Sequence, residues 1–429
     1  MAAEKINDLL NQKLSVFYSF LSKRGKRIYF PSSGIMAQIK QIKNSKINAS
    51  IGIALDDKKW AFNLDSVSSH LSLHVDNVFP YAPSFGVKNF RELWLDKILK
   101  KNPSINASNI TTPIITSGLT HGIKICADLF CDEGQEVLVA DLFWGNYKLI
   151  FEVNAGAKLN TFPFFKNSKF NLSGLQEILV QRKKTILLVN FPNNPSGYCL
   201  TQTEQDELVV ILEKYAKDGN ELLVICDDAY FGLFFEENIA KESLFSRLSS
   251  LHENIFAVKV DGPTKEDYVW GLRVGSLVVG GKSITLETAS AIQEKVAGLV
   301  RSSISNVSHL SQSLLLKAYQ SDTYDSEKKV AFELLESRYA VVRKTLDSHL
   351  EYQKVFTVLP FNSGYFICVK LIDGLDCKKV WSMLSLEYGI GLIYFKEENL
   401  LRIAFSCLTV EEIPKVFESL FEVCNTLLK

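Results

Sequence analysis

The chain carries no surplus charge. Its 48 Lys plus Arg face 48 Asp plus Glu, so no overall field exists to draw in nucleic acid or an acidic lipid surface. None of its eight cysteines, at 126, 131, 199, 226, 368, 377, 407 and 424, is spaced C-x-x-C, and several sit inside apolar runs such as LLVICDDAY and SGYFICVKL. Such scattered thiols point to reduced, buried side chains of a cytoplasmic protein rather than to a disulfide framework. No stretch of 18 apolar residues is available to span a membrane, and the start, MAAEKINDLLNQKLSVFYSFLSKRGK, is charged throughout where a signal peptide would be apolar. G-x-G-x-x-G and G-x-S-x-G are both missing. His70 and His74 have no third ligand beside them, so no metal site is expected. The exclusions leave a soluble protein acting on a small molecule, with neither nucleic acid nor membrane as partner.

What is present is alternation. From residue 111, short β-branched runs (TPIITSG, QEVLVAD, AKLNTFPF, TILLVNFP, ELLVICDDAY) are separated by amphipathic helical stretches. That pattern predicts an α/β fold with a largely parallel sheet covered on both faces. NIFAVKV, GSLVVGG and YFICVKL are further strand candidates, and residues 282–347 read as long helices. The last helix, in TVEEIPKVFESLFEVCNTLLK, is expected to be capped by its threonine or a residue before it. The expected division is a large domain over 75–315 and a smaller α+β domain formed by 316–429 with 46–74. Residues 1–45 are an extension of unassigned role.

Ligands of open α/β sheets collect outside the carboxyl ends of the strands, so the strand ends come first. TPIITSGLTHGIK is strand, turn, helix, and the backbone N–H groups at Ser117-Gly118-Leu119 could receive an anion at the helix start. VNFPNNPSGY makes a rigid turn that fixes Asn194. In LLVICDDAY, Asp227 and Ala229 point to one face and Asp228 to the other. VDGPTKEDYVWGLRVG sets Lys265 eight positions before Arg273, where partial desolvation would lower the amine pKa toward the range in which it attacks carbonyls, and the guanidinium would supply a fork for phosphate. Read singly, each stretch is equally an ordinary turn, a helix cap or a surface residue.

Together and in this order, the stretches resemble the fold-type I, class I/II aminotransferases that use pyridoxal 5′-phosphate, especially the aspartate aminotransferase branch, from residue 50 to the end. NNPSG is similar to that family's Asn-Pro-[Thr/Ser]-Gly turn, DDAY to its Asp-x-Ala-Tyr, and TKEDYVWGLRVG to its lysine-to-arginine block. The resemblance implies a seven-stranded, mostly parallel sheet between helices and a transaminase working through a Lys265 Schiff base. It also implies roles for the remaining residues. Asp227 would hold the pyridine nitrogen protonated, Tyr230 and Asn194 would bond the ring oxygen, Trp144 would stack on the ring, and Arg273 with Ser117, Gly118 and Leu119 would take the phosphate. Arg402 would clamp the substrate α-carboxylate with Gly52 nearby, and Arg301 would meet a side-chain carboxylate. Tyr81 would reach the partner's phosphate in a homodimer with shared active sites. One position departs from the family pattern: Gly262 stands where a phosphate-binding serine is usual, with Thr264 as a candidate replacement. A lyase of the same fold, or a non-catalytic sensor binding the cofactor, are the alternative readings.

Overall fold

The computed structural model describes residues 2–31 and 34–429. Its central layer is a sheet of seven strands: β1 (Ile114–Thr116), β2 (Glu136–Ala140), β3 (Lys158–Phe162), β4 (Lys184–Asn190), β5 (Glu221–Asp227), β6 (Ile255–Asp261) and β7 (Gly275–Gly281), in spatial order β1-β7-β6-β5-β4-β2-β3. β7 runs antiparallel to both neighbours and the other pairings are parallel. The near-continuous apolar strands follow from burial on both faces: Leu187, Val224, Ile225, Ala257 and Val258 are almost wholly inaccessible to solvent. Helices pack on both sides. Gln202–Lys217 begins with a reciprocal cap in which Thr201 Oγ1 accepts from the Glu204 N–H and Glu204 Oε2 accepts from the Thr201 N–H. Such a box is worth about 1 kcal/mol.

A second, smaller layer follows. Strands β8 (Phe356–Val358), β9 (Phe366–Leu371), β10 (Ile393–Phe395) and β11 (Leu400–Ala404) form an antiparallel sheet in the order β8-β9-β11-β10. YFICVKL is therefore a strand of this sheet. The C-terminal helix Glu412–Leu428 buries Ile413, Val416, Phe417, Leu420 and Val423 against it. No side chain caps this helix, contrary to expectation. Glu411 is the capping residue, and Thr409 instead offers its backbone N–H to the Glu412 carboxylate at 3.0 Å. Residues 47–48 join the smaller layer by pairing in parallel with 390–391. The 25-residue helix Tyr324–Ser348 ties the layers together: Lys328 contacts Glu266 and Asp267 at one end, and Arg338 donates to the Ser406 carbonyl further along.

Candidate active site

The carboxyl ends of β4, β5 and β6 open into a cleft of about 220 Å³ that also borders the smaller layer. Lys265, Asp227, Tyr230, Asn194, Trp144, Leu119, Arg273, Arg402 and Gly52 all line it. The sequence scatters these over 350 positions; the crossover topology gathers those at the ends of the parallel strands on one edge, and the smaller layer brings Arg402 up to it.

Asp227 ends β5 and is 4 % exposed. The Tyr147 hydroxyl donates to its Oδ2 at 2.5 Å and the Ala229 N–H to its Oδ1 at 3.2 Å. Burial outweighs these bonds and pushes the carboxyl up to about 6. Strand alternation does what it should: Asp227 and Ala229 face the cleft, while Asp228 turns to the opposite side and pairs with the fully buried Lys259. Asn190, the residue of β4 directly opposite Asp227, donates to the Asp227 carbonyl at 2.8 Å and accepts from the Asn194 N–H at 2.8 Å. Asn194 Oδ1 in turn accepts from Arg402 Nη1 at 3.1 Å.

Lys265 follows β6 in an irregular segment, its Nζ 5.4 Å from the Tyr230 ring centre. Its carbonyl accepts from the Tyr365 hydroxyl at 2.6 Å. The next two residues are anchored heavily. Glu266 takes Lys101 at 2.5 Å and Lys328 at 2.6 Å, and Asp267 takes the hydroxyls of Tyr319 and Tyr324, each at 2.7 Å. Burial alone would raise the Glu266 pKa, but Lys101 and Lys328 hold it well below the ordinary range. Position 265 is thus fixed through its own carbonyl and the two residues that follow it, with its side chain left to face the cleft. Burial, with Arg273 nearby, lowers the Lys265 amine from its usual value to about 8. At pH 7.4 this leaves about one-fifth of the amine neutral, against about a thousandth at the ordinary value. Cyanate added to cofactor-free protein should therefore carbamylate Lys265 on the order of a hundred times faster than a surface lysine, with a half-maximal rate near pH 8 by mass spectrometry. A midpoint above pH 10 would contradict this.

Two glycines show how tightly the anion end is built. Gly118 has φ +70°, and a Cβ there would sit 2.3 Å from Arg273 Nη2. Only glycine lets that guanidinium lie against the start of helix Gly118–Phe130. Gly262 has no room for a serine, since a Cβ would fall 2.8 Å from the Gly275 Cα. The departure from the family pattern is thus a matter of strand packing between β6 and β7. Thr264 lines the cleft but donates to the Val274 carbonyl at 3.3 Å. The Ser117 N–H is directed at His121 Nδ1, 3.1 Å away, and Leu119 and Thr120 form the wall. Arg273 itself has a left-handed backbone, φ +53°, a strain of order 1 kcal/mol that the surrounding contacts sustain.

Arg402, on β11, is 4 % exposed and lies 4.2 Å above the Phe366 ring. Its Nη2 donates to the Ser50 carbonyl at 2.9 Å, and its Nε is buried without a partner. No carboxylate pairs with it among the described residues, and burial lowers its pKa. A buried guanidinium with a spare donor is a site waiting for an anion.

Tyr81 and Arg301 stand apart. Tyr81 is 89 % exposed, and Arg301 is exposed with its guanidinium on Ser305 Oγ at 2.7 Å; neither lines the cleft of its own chain. Conversely, Tyr147, Asn190, Ser50, Phe366, Ile35 and Ile39 were not nominated by sequence reasoning. Asn190 was the most legible of them, as the last residue of an apolar strand. Tyr147 depends on a π-helix, Lys148–Ala155, which no periodicity announces.

The cleft suits pyridoxal 5′-phosphate. Three cationic side chains, Lys265, Arg273 and Arg402, face one carboxylate, Asp227, which matches a ligand pair carrying a phosphate, a carboxylate and a protonatable ring nitrogen. The unpaired Arg402 donor, on a side chain that lines the cleft with no carboxylate partner among the described residues, and the cradle at Gly118 are the two features that favour an anionic ligand. Fold and site together define a vitamin B6 enzyme of fold type I. The sequence profile of aminotransferase class I and II matches residues 46–420, and the chain belongs to that family, whose cofactor is pyridoxal 5′-phosphate. Among its relatives are aromatic-amino-acid aminotransferase 2 of Thermococcus litoralis, 27% identical over 46% of this chain and 48% of that protein, and a probable aspartate/prephenate aminotransferase of Aquifex aeolicus, 28% identical over 59% and 60%. The matched stretches thus span about half to three-fifths of those relatives. The crystal structure of an aminotransferase from Anaerococcus prevotii superimposes with a TM-score of 0.82 at 25% identity, covering 93% of this chain and 98% of the other.

Proposed function

We propose that the protein transfers the amino group of an L-amino acid to a 2-oxo acid, with Lys265 as the catalytic base and Arg402 as the clamp for the α-carboxylate of both. The observation that carries this reading is the convergence of Lys265, Asp227, Arg273 and the unpaired Arg402 guanidinium on one cleft. When bound, the cofactor supplies an aldehyde that condenses with amines and a cationic ring that accepts the electron pair of a breaking Cα–H bond. Arg273 and the helix start at Gly118 and Leu119 would hold its phosphate. Asp227, with its second oxygen fixed by Tyr147, would stay ionised against the ring N–H. Tyr230 and Asn194 bond the ring oxygen, and Trp144 covers one ring face. Arg402 receives the substrate carboxylate through Nε and a terminal nitrogen, which orients the Cα–H bond toward Lys265. Lys265 Nζ, facing the cleft, would serve as the base that takes the proton from the substrate Cα.

A homodimer in which Tyr81 serves the neighbouring site, and a cytoplasmic location, belong to the same proposal. The exposed Phe79 and Tyr81 support the first, and eight unpaired cysteines support the second. No helix among the described residues is long and apolar enough to cross a membrane.

The test is spectroscopic. Individual L-amino acids added to cofactor-loaded protein should shift the visible absorption band to the near ultraviolet, and a 2-oxo acid should restore it. Steady turnover of an amino acid with no 2-oxo acid present would establish a lyase instead.

A further inference from the structure

Residues 1–45 lie ahead of the family match, yet part of this segment reaches the cleft. Helix Ile35–Gln41 brings Ile35 and Ile39, one turn apart and so on one face, into the cleft wall with Phe366 and Gly52. The helix is firmly mounted. Ile42, 1 % exposed, sits in the core of the smaller layer, and Gln38 grips the backbone of Tyr394 twice, donating to its carbonyl at 3.0 Å and accepting from its N–H at 2.8 Å. Upstream, Arg27 is held on the other layer by Glu133 at 2.7 Å and by the Val153 carbonyl at 3.3 Å.

We propose that Ile35 and Ile39 form the specificity wall of this cleft and select amino donors with bulky apolar side chains. The proposal rests on the transaminase reading above and adds to it the substrate class. The charged groups lining the cleft are Asp227, Lys265, Arg273 and Arg402, and the cofactor and the α-carboxylate occupy all four. The polar groups near Arg402 are also committed: Ser50 Oγ donates to Asn48 Oδ1 at 2.5 Å, and Asn194 and Asn190 are bonded as described. Among the described residues of this chain, no further cationic side chain lines the cleft to pair with a side-chain carboxylate, whose burial against two isoleucines would be costly. An aliphatic or aromatic side chain gains from the same surface.

In the cofactor-loaded protein, the Ile35→Ala/Ile39→Ala double variant should lower kcat/KM for phenylalanine about 10–100-fold while leaving alanine within about threefold. Ile39→Arg should move the preference toward aspartate. Binding supplies an independent readout: calorimetry should show 3-phenylpropanoate binding the unaltered protein more tightly than succinate does, and the double variant should lose that difference. Equal losses for phenylalanine and alanine would overturn the proposal. So would an aspartate preference in the unaltered protein that disappears in Arg301→Leu. Should no amino acid be converted at all, the transaminase reading fails, whereas the binding comparison still decides the role of the two isoleucines.

Discussion

Lys265→Ala should lower amino transfer by about 10⁴-fold, the upper end of the range for loss of a positioned base, while the protein should still fold and bind the cofactor non-covalently. The fold should survive because Lys265 Nζ makes no hydrogen bond or ion pair among the described residues, its segment being secured by its neighbours Glu266 and Asp267 and by Tyr365 on its own carbonyl. Two readouts separate a lost base from a damaged site. The cofactor should leave the variant on gel filtration under denaturing conditions without borohydride-trapped attachment, and added methylamine should restore part of the rate by entering the space left by the side chain. A variant that keeps a tenth of the original turnover would remove Lys265 from the mechanism.

Asp227→Asn should cost about 10²–10³-fold in kcat, the scale of losing one preorganised electrostatic partner of the developing charge. The same substitution should stabilise the cofactor-free protein at neutral pH. The sign follows from linkage. The folded-state pKa of about 6 lies above the ordinary carboxylate value, so the native state holds this proton more tightly than the unfolded chain does. Its contribution is fully present below about pH 4 and is lost as pH rises through 6. The penalty reaches about 3 kcal/mol, an upper bound for a shift of this size. Asparagine removes the penalty because it does not ionise. Cofactor-free Asp227→Asn should therefore melt higher than the unaltered protein at pH 8, and the two should converge at pH 4. A variant less stable at pH 8 would mean that the Tyr147 hydrogen bond outweighs desolvation. With the expected higher melting at pH 8, the cost in stability and the contribution to catalysis share one origin, a carboxylate kept from water so that it can hold a cation.

Several features of the site were legible because they are local. Strand alternation alone separated Asp227 from Asp228, and the structure sends them to opposite sides, one to the cleft and one to Lys259. The glycine at 118 was readable as a helix start, but not as the place where Arg273 must pass within reach of its backbone. The serine-to-glycine departure at 262 was visible, while its reason, the approach of β7, was not. Arg402 was nominated from its resemblance to a family motif. That its Nε is left unpaired depends on Ser50 and Asn194, which are hundreds of positions away and occupy its other donors.

The sequence by itself determined the alternation of strands and helices, the apolar strands buried on both faces, and the chemical types of the groups at the strand ends, because these depend on periodicity and on neighbours within a few positions. Tertiary structure alone decided which of these groups share a cleft, how far each pKa moves, and that two isoleucines from the N-terminal segment line the same cleft as Arg402. Those outcomes depend on burial and on close approach between segments far apart in the chain, and such quantities have no period to read.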